Sequence, residues 1–155
     1  MFQTIILLCV LGFTFVQTAK EHLLCKSALL EVWITFCDEK DSPTFLVDNC
    51  SYDKKEKMNI TIIWIPKMNL EQLKLVIETW HQSMKFSKKI VEICSDMDGE
   101  YEFCNILKGE TTQVSILKDL NNISFFKGTF IIRLWLFAGE KEDLAFCFNA
   151  TLIFK

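Results

Sequence analysis

The chain of 155 residues is short of the residues that punctuate or loosen a fold. It has five glycines and two prolines, too few for a linker or a collagen-like chain. It has no excess of positive charge. The formal net charge is −3 with 24% charged residues, which excludes a nucleic-acid binder acting through bulk basicity. It has no C-x-x-C pair, no G-x-S-x-G elbow and no Gly-rich phosphate loop. Both histidines, His22 and His81, lie far from any cysteine cluster and read as surface residues. These absences leave no nucleophile, metal set or acid–base pair to build on, and a non-enzyme is expected. An acidic turn with Asp96, Asp98, Glu100 and Glu102 lacks the spacing and ligand set of a calcium loop.

What is present is apolar. Half the residues are hydrophobic, aromatics make up 13%, and mean hydropathy is +0.22. That excludes disorder and asks where so much apolar surface goes. Ile5 to Val16 is an uncharged apolar run, short for a bilayer span, followed by Thr18, Ala19 and the first charges at Lys20 and Glu21. It reads as a signal peptide, residues 1–19, with a short membrane anchor as the rival. Residues 20–155 then form one domain. No later run is apolar enough to cross a membrane, so a soluble secreted protein is expected.

Export also organises the cysteines. Cys9 falls in the leader, which leaves Cys25, Cys37, Cys50, Cys94, Cys104 and Cys147. An even count in a secreted chain implies disulfides, and zinc is the weaker alternative. Four N-x-S/T sequons, at Asn49, Asn59, Asn122 and Asn149, agree with glycosylation outside the cell.

Period-2 runs rich in β-branched and aromatic residues recur: Leu29–Cys37, Thr44–Asp48, Met58–Ile65, Leu73–Trp80, Lys89–Cys94, Gln113–Leu117, Thr129–Phe137 and Leu144–Phe154. Turn-like segments separate them, and the pattern predicts an all-β sandwich. Leu70, Leu73, Ile77 and Trp80 also fit a helical stripe; a turn at Asn69–Gln72 leading into a strand is preferred.

The sequons orient the strands, because a glycosylated Asn faces solvent and side chains alternate. Asn59 and Thr61 outward puts Ile60, Ile62 and Trp64 inward. Asn149 outward puts Phe146, Phe148, Ala150 and Leu152 inward and Cys147 outward. Cys37 shares the outward face of its strand with Glu31, Trp33 and Thr35. A Cys37–Cys147 bridge is therefore compatible with the strand faces. Cys94 and Cys104, with nine residues between them, suit a hairpin closure, which leaves Cys25 and Cys50. Six cysteines allow 15 pairings, and these arguments narrow the set without closing it.

The inward faces fit an ordinary packed core, or two sheets held apart by a lipid; periodicity does not separate the two. The segment Lys118–Phe126, with Leu120, Ile123, Phe125 and Phe126, is either a pocket lip or a loop folded on its own core.

The stretch from Cys94 to Cys104 followed by Asn-Ile-Leu-Lys-Gly-Glu-Thr, ending at Thr111, resembles the ML lipid-recognition family. The Cys25/Cys37/Cys50 spacing, Ile65-Pro66, Phe126-Lys127-Gly128 and Phe146-Cys147 carry the resemblance along the chain. It implies an immunoglobulin-like β-cup of two antiparallel sheets around an apolar lipid cavity. It implies the pairing Cys25–Cys50, Cys37–Cys147 and Cys94–Cys104.

The resemblance further implies a cavity lined by Val32, Phe45, Val47, Ile60, Ile62, Leu75, Ile77, Phe103, Ile116, Leu120, Ile123, Phe125, Phe130, Ile132, Phe146, Phe148 and Leu152. Phe125 matches a ligand-sensitive position at the mouth. Lys57 and Lys89 match basic mouth positions, and Asp98, Gly99, Glu100 and Tyr101 match a receptor-facing edge. Asn121 and Ser124 stand where the family's lipopolysaccharide co-receptors carry lysines, and Ile132 stands at an extra cysteine position.

The implied function is a secreted co-receptor that takes up acyl chains of a lipopolysaccharide-like lipid. Its implied partner is a Toll-like receptor leucine-rich ectodomain, which would hold it at the cell surface. No cofactor is implied beyond the bound lipid. The alternatives are a co-receptor of the radioprotective leucine-rich receptor, which the Cys147-Phe-Asn-Ala-Thr segment resembles, and a free lipid or sterol carrier.

Overall fold

The computed structural model describes residues 20–50, 58–94, 103–118 and 127–155. The leader expected at 1–19 lies outside them. The described residues form nine strands: β1 (His22–Lys26), β2 (Leu30–Phe36), β3 (Thr44–Asp48), β4 (Met58–Trp64), β5 (Lys74–His81), β6 (Met84–Glu92), β7 (Thr112–Lys118), β8 (Gly128–Ala138) and β9 (Asp143–Phe154). Six make one antiparallel sheet in the order β1-β2-β9-β8-β5-β6, and three make the other, β3-β4-β7. This is the expected two-sheet sandwich.

Alternation places the faces. In β2, Leu30, Val32 and Ile34 are buried, while Glu31, Trp33 and Thr35 take the other side. The register carries that face across the sheet: Val32 opposes Leu152, Leu152 opposes Phe130, and Phe130 opposes His81. Nearer the far end, Phe148 opposes Leu134, which opposes Ile77, and Phe146 opposes Leu136, which opposes Leu75. In the small sheet Ile60 and Ile62 of β4 face the same interior, and Thr61 bonds Ser115 across the outer face at 3.1 Å.

Two expectations shift. The strand expected at Lys89–Cys94 is observed as β6, which starts at Met84 and ends at Glu92, before Ile93 and Cys94. A two-residue turn precedes it, with Gln82 at φ 46° and Ser83 at φ 66°. Both central residues are left-handed, as a tight hairpin turn requires, but neither is the glycine or asparagine that usually marks one. The second shift is β1, HLLCK, which is too short and irregular to read from alternation; its register slips between Leu23 and Cys25. The helical reading of residues 70–80 fails. Leu70 forms an isolated bridge to Ile106, Leu73 is fully buried, and β5 follows directly.

The three bridges join Cys25 to Cys50, Cys37 to Cys147 and Cys94 to Cys104, with Cα separations of 5.7, 5.6 and 5.8 Å. This is the pairing implied by the family resemblance, and the separations are ordinary for disulfides.

The two long edges of the sandwich differ. At one, β1 and β3 are the only strands of different sheets, among the described residues, whose Cα atoms come within 8 Å. Cys25–Cys50 pins them there. Behind this seam a cluster of Leu30, Val32, Met58, Phe130 and Phe154 packs tightly, with Val47, Ile60 and Leu152 against it. At the other edge lie β6 and β7, with no such approach.

Candidate functional site

Between the sheets, away from the seam, lies a cavity of about 290 Å³. The small sheet supplies Phe45, Ile60, Ile62, Trp64, Thr112, Val114 and Ile116 to its wall. The large sheet supplies Leu75, Leu134, Leu136, Phe146 and Phe148, and Leu70, Leu73, Ile93 and Phe103 close one end. These four end residues are held by Leu70–Ile106 pairing, by the Ile93 N–H donating to the Leu73 carbonyl at 2.8 Å, and by Cys94–Cys104.

The wall is chemically uniform. Thr112 brings its only hydroxyl. The Trp64 indole N–H, the other polar group, donates to the Asp41 carbonyl at 3.0 Å. The aromatic rings interlock: Trp64 meets Phe146 edge-on at 4.9 Å, and Phe45 meets Phe148 edge-on at 5.2 Å. Such a wall offers a ligand dispersion contact and almost no hydrogen bonding, so it selects hydrocarbon.

The residues that the family resemblance assigns to the cavity divide into groups. Phe45, Ile60, Ile62, Leu75, Phe103, Ile116, Phe146 and Phe148 line it. Val32, Val47, Phe130 and Leu152 sit instead in or against the packed cluster behind the seam, where β1 and β3 draw the sheets together. Ile77 and Ile132 lie on the inner face of the large sheet but off the wall. Leu120, Ile123 and Phe125 fall outside the described residues, as do Lys57, Asn122 and Asp98, Gly99, Glu100 and Tyr101. Lys89 is exposed on β6, opposite Ile77.

Of the other sequons, Asn49 is exposed with φ 62°, Asn149 is exposed on β9, and Asn59 is half-buried on β4 beside Asp48. Wall residues not anticipated are Trp64, Leu70, Leu73, Ile93, Thr112, Val114, Leu134 and Leu136. The inward alternation already placed Trp64 on the correct face.

His81 is not a simple surface residue. Its ring stacks on Phe130 at 4.3 Å, and its Nδ1 lies 3.1 Å from the Thr129 carbonyl. His22 pairs with Glu39 at 3.2 Å.

Among the described residues the cavity wall carries no charged side chain. On β5, the carboxylate of buried Glu78 accepts from Lys85 at 2.9 Å and from the Trp80 indole at 3.3 Å, with Lys88 at 3.6 Å. On β2, Glu31 accepts from the Trp33 indole at 2.9 Å, beside Lys155 at 3.1 Å and Lys26 at 3.4 Å. The Lys85 bond, against the cost of burial, holds the Glu78 carboxyl below the ordinary range. The Trp33 bond and then Lys155 do the same for Glu31. Arg133, which interrupts the apolar outer face of β8, lies 4.8 Å from the Trp80 ring centroid, with Lys85 at 5.2 Å.

Among the described residues no three His, Cys, Asp or Glu side chains cluster to hold a metal, and no helix is long and apolar enough to cross a membrane.

No family model matches the chain. Individual proteins do. Lymphocyte antigen 96 (MD-2) of Homo sapiens is 29% identical over 140 residues, which are 90% of this chain and 88% of that protein. Lymphocyte antigen 86 (MD-1) of Homo sapiens is 28% identical over 134 residues, 85% of this chain and 81% of that one. Among solved structures, chicken MD-1 complexed with lipid IVa superposes with a TM-score of 0.76 at 18% identity, covering 88% of this chain and 98% of that one. The chain thus has the sequence likeness and the fold of the ML lipid-recognition proteins, as its cysteine framework and Lys-Gly-Glu-Thr segment indicate.

Proposed function

We propose that this protein is a secreted lipid-binding co-receptor that houses the acyl chains of a lipopolysaccharide-like lipid between its two sheets. The observation that carries the reading is the cavity wall, in which, among the described residues, the Thr112 hydroxyl is the one polar side-chain group besides the Trp64 indole, whose N–H is bound to the Asp41 carbonyl. Its 290 Å³ stands near the lower end for small-molecule sites, which begin at roughly 300 Å³. Each chain methylene transferred into it contributes about 0.8 kcal/mol. Affinity therefore comes from hydrocarbon. Head-group selectivity falls to the rim, to which the family resemblance assigns Lys89, exposed on β6. The likeness to lymphocyte antigens 96 and 86, and to an MD-1 structure solved with lipid IVa, supports the same reading.

No step of bond making is called for. Among the described residues the wall holds no acid, base or activated nucleophile, and in this reading its work is recognition. In this reading, the rim of the filled cavity meets a Toll-like leucine-rich ectodomain. The protein is held at the cell surface by that ectodomain.

Mass spectrometry of lipids extracted from the purified secreted protein tests the first part. Acyl lipids are expected from the wild type, and a fall of about ten-fold is expected from Val114→Trp, which fills the wall from β7. Recovery of no lipid from the wild type in any preparation, with none taken up on addition, refutes the reading. Co-expression with a Toll-like ectodomain tests the second part. Stable co-purification is expected, and its failure beside intact lipid binding would favour a free carrier.

A further inference from the structure

We propose that the outer face of the six-stranded sheet carries a saccharide-binding groove, and that its occupant is the core of a glycan attached to Asn149 of the same chain. The groove holds about 500 Å³ and is lined by Trp80, Gln82, Ser83, Thr129, Ile131 and Arg133. It lies on the opposite side of the sheet from the cavity. Ile131 and Arg133 of β8 alternate with the inward Phe130, Ile132 and Leu134, and Trp80 of β5 opposes Ile131.

The lining is that of a sugar site and not of a second lipid site. Trp80 and Ile131 offer apolar surface to the C–H groups of a pyranose ring. Gln82, Ser83 and Thr129 are exposed and offer neutral donors and acceptors to its hydroxyls. An acyl chain lying here would leave those groups unpaired. The indole is fixed in place: its N–H donates to Glu78 at 3.3 Å, and the Arg133 guanidinium lies 4.8 Å from its ring centroid. Arg133 opposes Glu78 across the ladder, but that carboxylate accepts from Lys85 and Trp80 instead. Among the described residues Arg133 forms no ion pair. Its planar set of N–H donors suits an acceptor such as the acetamido carbonyl of N-acetylglucosamine.

The strand register brings a sequon to this groove. Asn149 of β9 opposes Arg133, and Thr151, the hydroxyl residue of the sequon, opposes Ile131. Opposed residues of an antiparallel pair stand about 4.5–5.5 Å apart at Cα, within reach of the first sugars on an asparagine. Of the outward residues of β9 at 147, 149, 151 and 153, Asn149 is the exposed one. Glycosylation joins its Nδ2 to C1 of the first N-acetylglucosamine, breaks the bond from C1 to a lipid diphosphate donor, and releases the lipid diphosphate and a proton. A glycan rising from the middle of the sheet bars a protein from packing flat against it. Folded into the groove, the same glycan covers the apolar surface of Trp80 and Ile131. The proposal rests on export of the chain and not on the lipid-cup reading.

The test uses the full protein recovered from the medium of secreting mammalian cells, so a failure of export shows as missing protein. Glycopeptide mass spectrometry is expected to find Asn149 occupied. Endoglycosidase release of that glycan from the folded protein is expected to be about ten-fold faster in Arg133→Ala than in wild type. The pair Gln82→Gly with Ser83→Gly removes two groove side chains and suits the positive φ of both positions. It is expected to speed release in the same direction. Release at the other occupied sequons is expected to stay unchanged. With isotope-labelled sugar, nuclear Overhauser contacts are expected between the core sugars and the Trp80 indole protons.

An unoccupied Asn149 in exported protein overturns the proposal. So does release at one rate from wild type and both variants, or an occupied glycan with no contact to Trp80, since the sugar then projects into solvent. Release that rises equally at every occupied sequon in both variants reports a loosened fold and overturns it as well.

Discussion

The two edges of the sandwich are built from the same alternating pattern and end in opposite states. At the β1/β3 edge a disulfide and a close backbone approach press the sheets together, and Leu30, Val32, Phe130 and Phe154 fill the space. Toward the β6/β7 edge, equally apolar rows (Leu134, Leu136, Phe146 and Phe148 facing Ile62 and Val114) enclose a void. Hydrophobicity does not distinguish a core from a cup. The separation of the sheets does, and it is set at the margins by what joins one strand to another.

Several substitutions sharpen or break that contrast. The largest effect is expected from unpinning the seam. Cys25→Ser with Cys50→Ser should cost about 2–5 kcal/mol, read by denaturant unfolding under non-reducing conditions. Loss of lipid binding with unchanged stability would mean that the seam shapes the cavity without carrying the fold.

Next is Leu30→Ala in the packed cluster, expected to cost about 3 kcal/mol. The same truncation on the cavity wall, Leu134→Ala, should cost only about 1 kcal/mol in lipid-free protein, because one side of that leucine already lacks partner atoms. Equal losses at the two positions would refute the distinction between core and cup.

A smaller effect belongs to the outer carboxylates. Glu31 and Glu78 have lowered folded-state pKa values, so the stability they contribute is complete above the unfolded carboxyl pKa of about 4.3. It is lost as pH falls through the lower folded values. Wild type should therefore lose stability below about pH 4.3 more steeply than Glu78→Gln, as followed by thermal melts across that range. Smallest is Phe86→Asp, whose side chain is 76% exposed. It should change unfolding free energy by no more than about 0.5 kcal/mol, as read by denaturant unfolding.

Much of this was readable from the chain. Strand β3 has the expected bounds, and β2, β4, β8 and β9 differ from expectation by a residue at one or both ends. Their half-buried faces alternate cleanly, and the sequons oriented β4 and β9 correctly. β6 was misplaced because it has no buried face to alternate with: eight of its nine residues are exposed. Its turn is made by Gln82 and Ser83, which carry no compositional mark.

The cavity residues split for a related reason. Val32, Val47, Phe130 and Leu152 point inward like Phe146 and Phe148. Whether an inward side chain meets another side chain or empty space depends on the distance to the opposite sheet, which no local pattern encodes. Leu70 and Leu73 escaped because they seal the cavity from a turn and a bridge rather than from a strand.

The placement of the bridges has a mechanical side. Cys37–Cys147 joins neighbouring parts of one sheet and leaves the spacing between sheets untouched. Cys25–Cys50 joins β1 of one sheet to the end of β3 in the other, and Cys94–Cys104 ties the end of β6 to the 103–105 turn beside the closed end of the cavity. Among the described residues the two layers are thus bound like a book at one spine, β1 and β3, and no bridge fixes their spacing at β6 and β7.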